Sequence, residues 1–132
     1  MDLSLDFKSK QDININLKKL KKNISNISHN VYFILDLTLN ELGSNTFKHG
    51  FDGKARLVCE GNRYLLEFEN VGEKIPDNFL KFEDGDFQIN NCLKNGNGLG
   101  LFIIKNLVDN FEYEHKDGKN YIRVLIKEES YK

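Results

Sequence analysis

The chain has 132 residues, of which 39% are hydrophobic and 11% aromatic, and its 19 basic and 20 acidic residues leave a formal net charge of −1 at pH 7. This length and composition predict one ordinary globular domain over residues 1–132 and exclude a disordered or collagen-like chain. A charge balance so close to neutral lacks the basic excess that sequence-independent nucleic-acid binding needs, so we expect no nucleic-acid partner.

The apolar segments are too short for a membrane-spanning helix. The longest uninterrupted runs, such as residues 31–35, cover only a few positions, far fewer than the roughly 20 that cross a bilayer. The first six residues lack the basic and apolar stretches of a secretory signal. Cys59 and Cys92 cannot build a disulfide framework and have no CxxC spacing for zinc. We therefore expect a cytoplasmic protein with reduced thiols and no membrane partner.

A strand and a short helix are predicted first. Leu3, Leu5 and Phe7 alternate with polar residues, which predicts a strand with one buried face. In residues 13–24 apolar side chains recur at helical spacing among four lysines, which predicts an amphipathic helix. The lysines allow two interpretations, a solvated helix face or a surface for an acidic membrane or partner. We favour the solvated face.

A long helix and a hairpin follow. After a polar break at residues 25–30, an apolar stripe at helical spacing predicts the longest element, which ends with Gly50 in the C′ role. Residues 55–60 and 64–70 flank Gly61 and Asn62, a pair suited to a tight turn. These residues predict two antiparallel strands.

The next segment predicts a lid and a third helix. Residues 76–95 carry scattered aromatics, glycine and asparagine without sustained periodicity. A loop of this length in a compact domain indicates disorder or a functional lid, and we expect a long, partly mobile loop. The third helix should begin within residues 98–101 and run to about Asn110.

A second hairpin closes the domain. Strands at residues 111–115 and 121–126 are joined by Asp117 and Gly118. The order of strand, helix, helix, hairpin, lid, helix and hairpin predicts an α+β fold. We expect a two-layer α/β sandwich with a mostly antiparallel sheet and helices on one face.

Three alternate glycines lead directly into the third helix. The segment from Gly96 to Leu101 reads Gly-Asn-Gly-Leu-Gly-Leu. Glycines let the backbone approach a phosphate, and a helix N-terminus supplies unpaired N–H donors and partial positive charge. The segment is either an anion cradle or a flexible loop that ends in a helix. It matches neither the Walker nor the Rossmann pattern of glycines.

Three polar residues share one arc of the long helix. Glu41, Asn45 and Lys48 lie at i, i+4 and i+7, beside the apolar stripe. A carboxylate can polarise a hydroxyl, an amide oxygen can complete a Mg²⁺ shell, and an ammonium can meet a phosphate. The simpler interpretation is a solvated helix edge with a weak Glu–Lys pair. His49 falls nearer the apolar arc, where we expect a capping or packed histidine.

The strand that precedes the predicted lid ends near Asn70, whose side chain is an amide. Tyr64, Leu66, Phe68 and Asn70 share one strand face. Asn70 should therefore cap an apolar floor, where an amide could read the edge of a flat heterocycle. An ordinary strand end with a turn at Gly72 would leave the same pattern.

The joint order of these signals resembles the GHKL ATP-binding fold. Glu-x-x-x-Asn-x-x-Lys-His lies on a helix, a strand then ends in Asn-x-Gly-x-x-Ile-Pro, and a lid precedes Gly-x-Gly-Leu-Gly-Leu. That superfamily includes histidine-kinase catalytic domains, gyrase-type ATPases, heat-shock chaperones and anti-sigma serine kinases. The resemblance spans essentially the whole chain. In its small size, and in the strand and helix that precede the Glu-Asn helix, the chain looks most like the anti-sigma serine kinase branch.

The resemblance implies a role for each matching position. Glu41 matches the glutamate that orients or deprotonates the attacking nucleophile. Asn45 matches the asparagine that ligates Mg²⁺ between the phosphates, and Lys48 matches a phosphate-facing basic position. Asn70 stands where the family usually has the aspartate that accepts from the adenine amino group, and Gly72 matches the first glycine of that box.

The remaining matches complete the nucleotide site that the resemblance implies. Ile75 closes the adenine box, and a second glycine box meets the phosphates beneath the lid. That second box comprises Gly96, Gly98, Leu99, Gly100 and Leu101. The chain departs from the family at two positions. Asn70 keeps an acceptor oxygen but loses the charge, and Lys74 replaces a second glycine.

The resemblance implies a kinase that uses ATP and Mg²⁺ to phosphorylate serine or threonine in an anti-sigma antagonist and that binds a sigma factor. It leaves open a homodimer. Two alternatives remain: a nucleotide-gated binding module without turnover, and a stand-alone histidine-kinase catalytic domain that acts in trans. His29 lies in a polar break with no four-helix pattern around it, which disfavours autophosphorylation in cis.

Overall fold

The computed structural model describes residues 2–24, 27–75 and 99–128. In this part of the chain there are five strands and three helices. They are β1 (Asp2–Phe7), α1 (Gln11–Asn23), α2 (His29–His49), β2 (Gly50–Glu60), β3 (Arg63–Gly72), α3 (Leu99–Leu107), β4 (Asn110–Lys116) and β5 (Lys119–Lys127). The predicted α+β class is confirmed. The lid predicted at residues 76–95, Gly96 and Gly98 lie outside the described residues, and of Leu99 only the backbone is described.

The strands form one antiparallel sheet in the order β1-β2-β3-β5-β4. Gly61 has φ 60° and Gly118 has φ 76°, backbone conformations that glycine adopts at little cost. These glycines allow the tight turns between β2 and β3 and between β4 and β5. Both predicted hairpins are confirmed.

The inner face of the sheet and the helices enclose the core. The rings of Phe7 and Phe68 meet edge to face with their centroids 5.7 Å apart. Leu35 and Leu39 of α2 are fully buried over Leu57 of β2 and its neighbours in one apolar cluster. Each such side chain contributes about 1.5–3 kcal/mol when it leaves water. The helices therefore cover one face of the sheet, as the sequence predicts.

The opposite face of the sheet is charged and exposed. Arg56 lies opposite Glu67, Glu67 opposite Arg123, and Arg123 opposite Glu112 across four adjacent strands. Opposite charges in directly paired positions are favourable, so this face needs no covering layer. No helix in the described part of the chain is long and apolar enough to cross a membrane.

Helix α1 covers the outer edge of β1. The Asn16 amide Nδ2 donates to the Asp6 carbonyl oxygen at 2.6 Å, and Lys19 Nζ donates to the Ser4 carbonyl oxygen at 3.1 Å. Bonds of this kind occupy carbonyl groups that another strand could use, which protects a sheet edge from unwanted pairing. One lysine of the basic helix therefore has a structural role.

Two predicted helix ends are wrong in detail. Helix α2 ends before Gly50, but this residue is extended, with φ −174° and ψ −151°, and begins β2. A Cβ atom at Gly50 would overlap the Val71 carbonyl oxygen, so close approach of β3 requires the glycine. Helix α3 ends at Leu107 because Asn110, the predicted end, already belongs to β4.

Candidate functional site

A cavity of about 300 Å³ lies between α2, the end of β3 and the start of α3. This volume is at the lower end of the range for small-molecule sites. Apolar side chains from the sheet and both helices surround several amide and charged groups. The lining residues are Leu42, Asn45, His49, Phe68, Asn70, Glu73, Lys74, Ile75, Leu101, Asn120 and Ile122.

Four of the predicted site residues line this cavity. Asn45 comes from α2, Asn70 and Ile75 come from the end of β3 and the segment after it, and Leu101 comes from α3. Asn70 is only 7% exposed above an apolar floor, as the alternation of β3 predicts. Residues far apart in sequence therefore meet at one cavity.

The other described candidates lie outside the lining of the cavity. Glu41, Lys48, Gly72 and Gly100 are not among the residues that line it. His49, expected to cap or pack, is instead exposed and borders the cavity. The nucleotide roles of all these residues stay predictions.

Glu41 lies directly over the first turn of α3. A Cβ atom at Gly100 would overlap Cδ and both carboxylate oxygens of Glu41, so only glycine leaves room for this carboxylate. Burial raises the pKa of Glu41, and the positive charge of Lys48 opposes that shift. A carboxylate with a raised pKa is a stronger base, which suits a general-base role.

A chain of hydrogen bonds holds the Asn70 amide. Asn70 Nδ2 donates to Thr46 Oγ1 at 3.4 Å, and Asn120 Nδ2 donates to Asn70 Oδ1 at 3.2 Å and to the Glu73 carbonyl oxygen at 2.9 Å. The Tyr113 hydroxyl donates to Asn120 Oδ1 at 2.5 Å. The amides of Asn70 and Asn120 are almost completely buried, so this pairing avoids the cost of unsatisfied polar groups.

The predictions from sequence did not include Asn120 or Tyr113. Asn120 lies on the buried face of β5 together with Ile122 and Val124, and a polar residue in such an alternating series is a signal that the sequence contains. Its contact with Asn70 becomes evident only in the structure, where β5 pairs with β3 and places Asn120 directly opposite Asn70.

Gly72 is held by the last hairpin of the sheet. Its N–H donates to the Gly118 carbonyl oxygen at 3.0 Å, and its carbonyl oxygen lies 3.0 Å from Nε2 of His115. The backbone after β3 is thereby attached to the turn between β4 and β5. This attachment helps to hold the segment that carries Glu73 and Ile75, two residues that line the cavity.

The donor set near the cavity fits a metal only together with a ligand. Among the described residues, no group of three or more His, Cys, Asp or Glu side chains could hold an ion. Asn45 offers one amide oxygen at the cavity wall. Mg²⁺ prefers six oxygen ligands and is commonly bound through substrate phosphates. A Mg²⁺ ion at Asn45 would therefore need its other ligands from water or from a bound molecule.

Comparison with solved structures identifies the architecture. The catalytic domain of the histidine kinase ThkA, in a nucleotide-free form, aligns with a TM-score of 0.52 and 15% identity over 96% of both chains. A second nucleotide-free form of that domain gives 0.52 and 14% over the same shares. The histidine kinase AdeS of Acinetobacter baumannii gives 0.48 and 12%, covering 97% of this chain and 68% of AdeS. No protein-family model and no curated protein sequence matches the chain. The chain has the fold of histidine-kinase catalytic domains.

Proposed function

We propose that the chain is one domain that binds ATP with Mg²⁺ and transfers the terminal phosphoryl group to a protein acceptor. The observation that carries this proposal is the position of Glu41. Its carboxylate is partly buried against the first turn of α3 and has a raised pKa. One helical turn further along α2, Asn45 lines the cavity. A candidate general base (Glu41), a candidate metal ligand (Asn45) and a cavity large enough for a small ligand thus lie near one another.

In this proposal, different residues bind the base, the phosphates and the metal ion of the nucleotide. The apolar floor and the Asn70 amide, which line the cavity, would accept the flat base of the nucleotide. Lys48 and the backbone N–H groups at the start of α3 supply positive charge for phosphates. Asn45 Oδ1 would be a Mg²⁺ ligand, and the bound ion would neutralise charge on the phosphate oxygens. Glu41 would accept the proton of the attacking group.

The acceptor that the sequence resemblance favours is a serine or threonine hydroxyl. In that case the partners are an anti-sigma antagonist and a sigma factor, and the chain acts as a monomer or a homodimer. The fold that the chain shares with the ThkA domain favours a second candidate, phosphoryl transfer to a histidine of another chain. The neutral Asn70 and the lysine at position 74 favour a third, a nucleotide-gated binding module without turnover.

Binding is tested first by calorimetry with ATP, with and without EDTA. We expect heat of binding in the presence of Mg²⁺ and a large loss of affinity with EDTA, because Asn45 would contact the phosphates only through the metal ion. Asn45→Ala should reduce the Mg²⁺-dependent part. Absence of binding at millimolar nucleotide under both conditions would overturn the proposed ATP site.

Transfer is tested with ATP labelled in the terminal phosphate and purified acceptor proteins. Glu41→Gln should lower the rate by about 10²–10⁴-fold while ATP affinity stays the same. Glu60→Gln, a change at an exposed glutamate of β2, is the matched control. Acid-stable label indicates serine or threonine, and acid-labile, alkali-stable label indicates histidine. Bound ATP without transfer to any acceptor supports the binding module.

A further inference from the structure

The base end of the cavity is lined by two neutral amides whose orientation can be derived from the backbone groups around them. These are Asn70 of β3 and Asn120 of β5, which are 7% and 5% exposed. An amide has a donor end and an acceptor end, and a rotation of 180° exchanges them. The direction of each hydrogen bond in the network decides which end faces which neighbour.

One backbone carbonyl determines the orientation of Asn120, and a tyrosine hydroxyl fits that orientation. The Ile75 N–H can only donate, and it donates to the Tyr113 hydroxyl oxygen at 2.8 Å. The Tyr113 hydroxyl in turn donates its hydrogen to Asn120 Oδ1. The Glu73 carbonyl can only accept, so the atom 2.9 Å from it must be Asn120 Nδ2. The Glu73 carbonyl therefore orients Asn120 with Oδ1 toward Tyr113, whose hydroxyl can donate to Oδ1 while it accepts from the Ile75 N–H.

The orientation of Asn70 follows from Asn120 and from α2. Asn120 Nδ2 faces Asn70 at 3.2 Å, and a donor there requires the acceptor Oδ1 of Asn70. On the other side, the Thr46 hydroxyl donates to the Leu42 carbonyl oxygen at 3.0 Å and therefore accepts from Asn70 Nδ2 at 3.4 Å. The Asn70 amide is thus held in one orientation from both sides.

The bonds to Asn120 and Thr46 leave Asn70 with one acceptor site and one donor site among the described residues. A 6-aminopurine offers a donor at its amino group and an acceptor at N1, and a 6-oxopurine offers the reverse order. An amide that rotates freely can match either base. An amide held in one orientation matches one of them.

We propose that Asn120, held by Tyr113, is a positioning residue that fixes the Asn70 amide and thereby selects a 6-aminopurine over a 6-oxopurine nucleotide. This inference rests on the proposed function, in which the cavity holds the base of ATP: the fixed amide accounts for selectivity, and the proposed ligand sets its direction toward the 6-aminopurine. It assigns base selectivity to a neutral hydrogen-bond chain that is anchored on backbone groups. Neither Asn120 nor Tyr113 needs to contact the base for this effect.

The test compares dissociation constants for ATP and for inosine triphosphate, both with Mg²⁺, by calorimetry. The parent protein should prefer ATP by about tenfold or more. Asn120→Ala should reduce that ratio by about tenfold. Only the Thr46 hydroxyl then holds Asn70, and because a hydroxyl can donate as well as accept, the amide can rotate to match either base. Tyr113→Phe removes only the hydroxyl and should shift the ratio in the same direction by less. Asn110→Ala, at an exposed asparagine of β4, should leave the ratio unchanged.

The ratio of the two constants separates a positioning role of Asn120 from a purely structural one. If Asn120→Ala weakens both nucleotides equally, the residue only supports the fold and the inference is overturned. A parent protein that binds both nucleotides equally well also overturns it, while the proposed nucleotide site stands. A parent protein that binds neither overturns the proposed function. Should Asn120→Ala fail to fold, as shown by circular dichroism, an unchanged ratio in Tyr113→Phe overturns the inference.

Discussion

The contact between Glu41 and Gly100 predicts that Gly100→Ala disturbs the proposed base far more than the fold. The three atoms nearest to the added Cβ would be the carboxyl atoms of Glu41, which form the far end of a flexible side chain. The side chain can move, whereas the two helices can stay in place. We therefore expect a folded variant in which the Glu41 carboxylate is displaced from its present position.

Two opposing effects determine the change in the free energy of unfolding. Replacing glycine by alanine in a helix stabilises it by about 0.5–1 kcal/mol. Displacing a packed group to make room for a methyl costs about 1–3 kcal/mol. Gly100→Ala should therefore destabilise the parent by roughly 0–2.5 kcal/mol. Because misplacement of a catalytic group by about 1 Å can cost about 10²-fold in rate, any phosphoryl transfer should fall by at least that factor.

A double-mutant cycle in urea isolates the contact without relying on activity. In a Glu41→Ala background the overlap is absent, so Gly100→Ala should stabilise the protein by about 0.5–1 kcal/mol. The resulting coupling energy of about 1–3 kcal/mol exceeds the usual error of additivity, about 0.5 kcal/mol. Asn40→Ala, at the exposed neighbour of Glu41, is the matched control and should be additive with Gly100→Ala.

An equal effect of Gly100→Ala in the parent and in the Glu41→Ala background would refute this reasoning. It would mean that the carboxylate does not occupy the space over Gly100 in solution. If the Gly100→Ala variant transfers phosphate at the rate of the parent protein, the proposed position of Glu41 as the general base is refuted.

Further predictions concern stability and need no ligand. Glu41→Gln should raise the melting temperature at pH 7, because burial holds the pKa of Glu41 above its ordinary value of 4.5 and penalises the ionised carboxylate. This gain should disappear as the pH falls below 4.5, where the parent side chain is protonated in both states; a pH-independent gain would contradict it. Gly50→Ala should destabilise by about 1–3 kcal/mol or more in thermal unfolding, because the Val71 carbonyl cannot turn away; an unchanged melting temperature would be the contrary result. Asn16→Ala should cost about 1 kcal/mol in urea through loss of its bond to the Asp6 carbonyl, and no change would show that water replaces this bond.

Local periodicity was sufficient to predict most of the elements. The alternation in β1 and β3 and the helical stripe of α2 depend on which side chains face the core, and this is a property of neighbours in sequence. The same spacing placed Glu41, Asn45 and Lys48 on one arc of α2. It also placed Asn70 over an apolar floor, where the structure has it.

Element ends were less well predicted because they depend on contacts between distant segments. Strand β2 begins at Gly50, well before the predicted residue 55, and its register with β3 shifts between Phe51 and Lys54. That irregularity interrupts the period-2 pattern on which the prediction relied. Gly50 is required by the approach of Val71, a residue that only the folded sheet brings near it.

The sequence by itself determined the class of fold and the local arrangement of the candidate residues on each element, because both follow from short-range spacing. The tertiary structure alone decided which elements meet. Pairing of β3 with β5 set Asn120 against Asn70, and packing of α3 on α2 set Gly100 under Glu41. Strand order and helix packing result from burial of the whole core, so no local pattern encodes these two contacts.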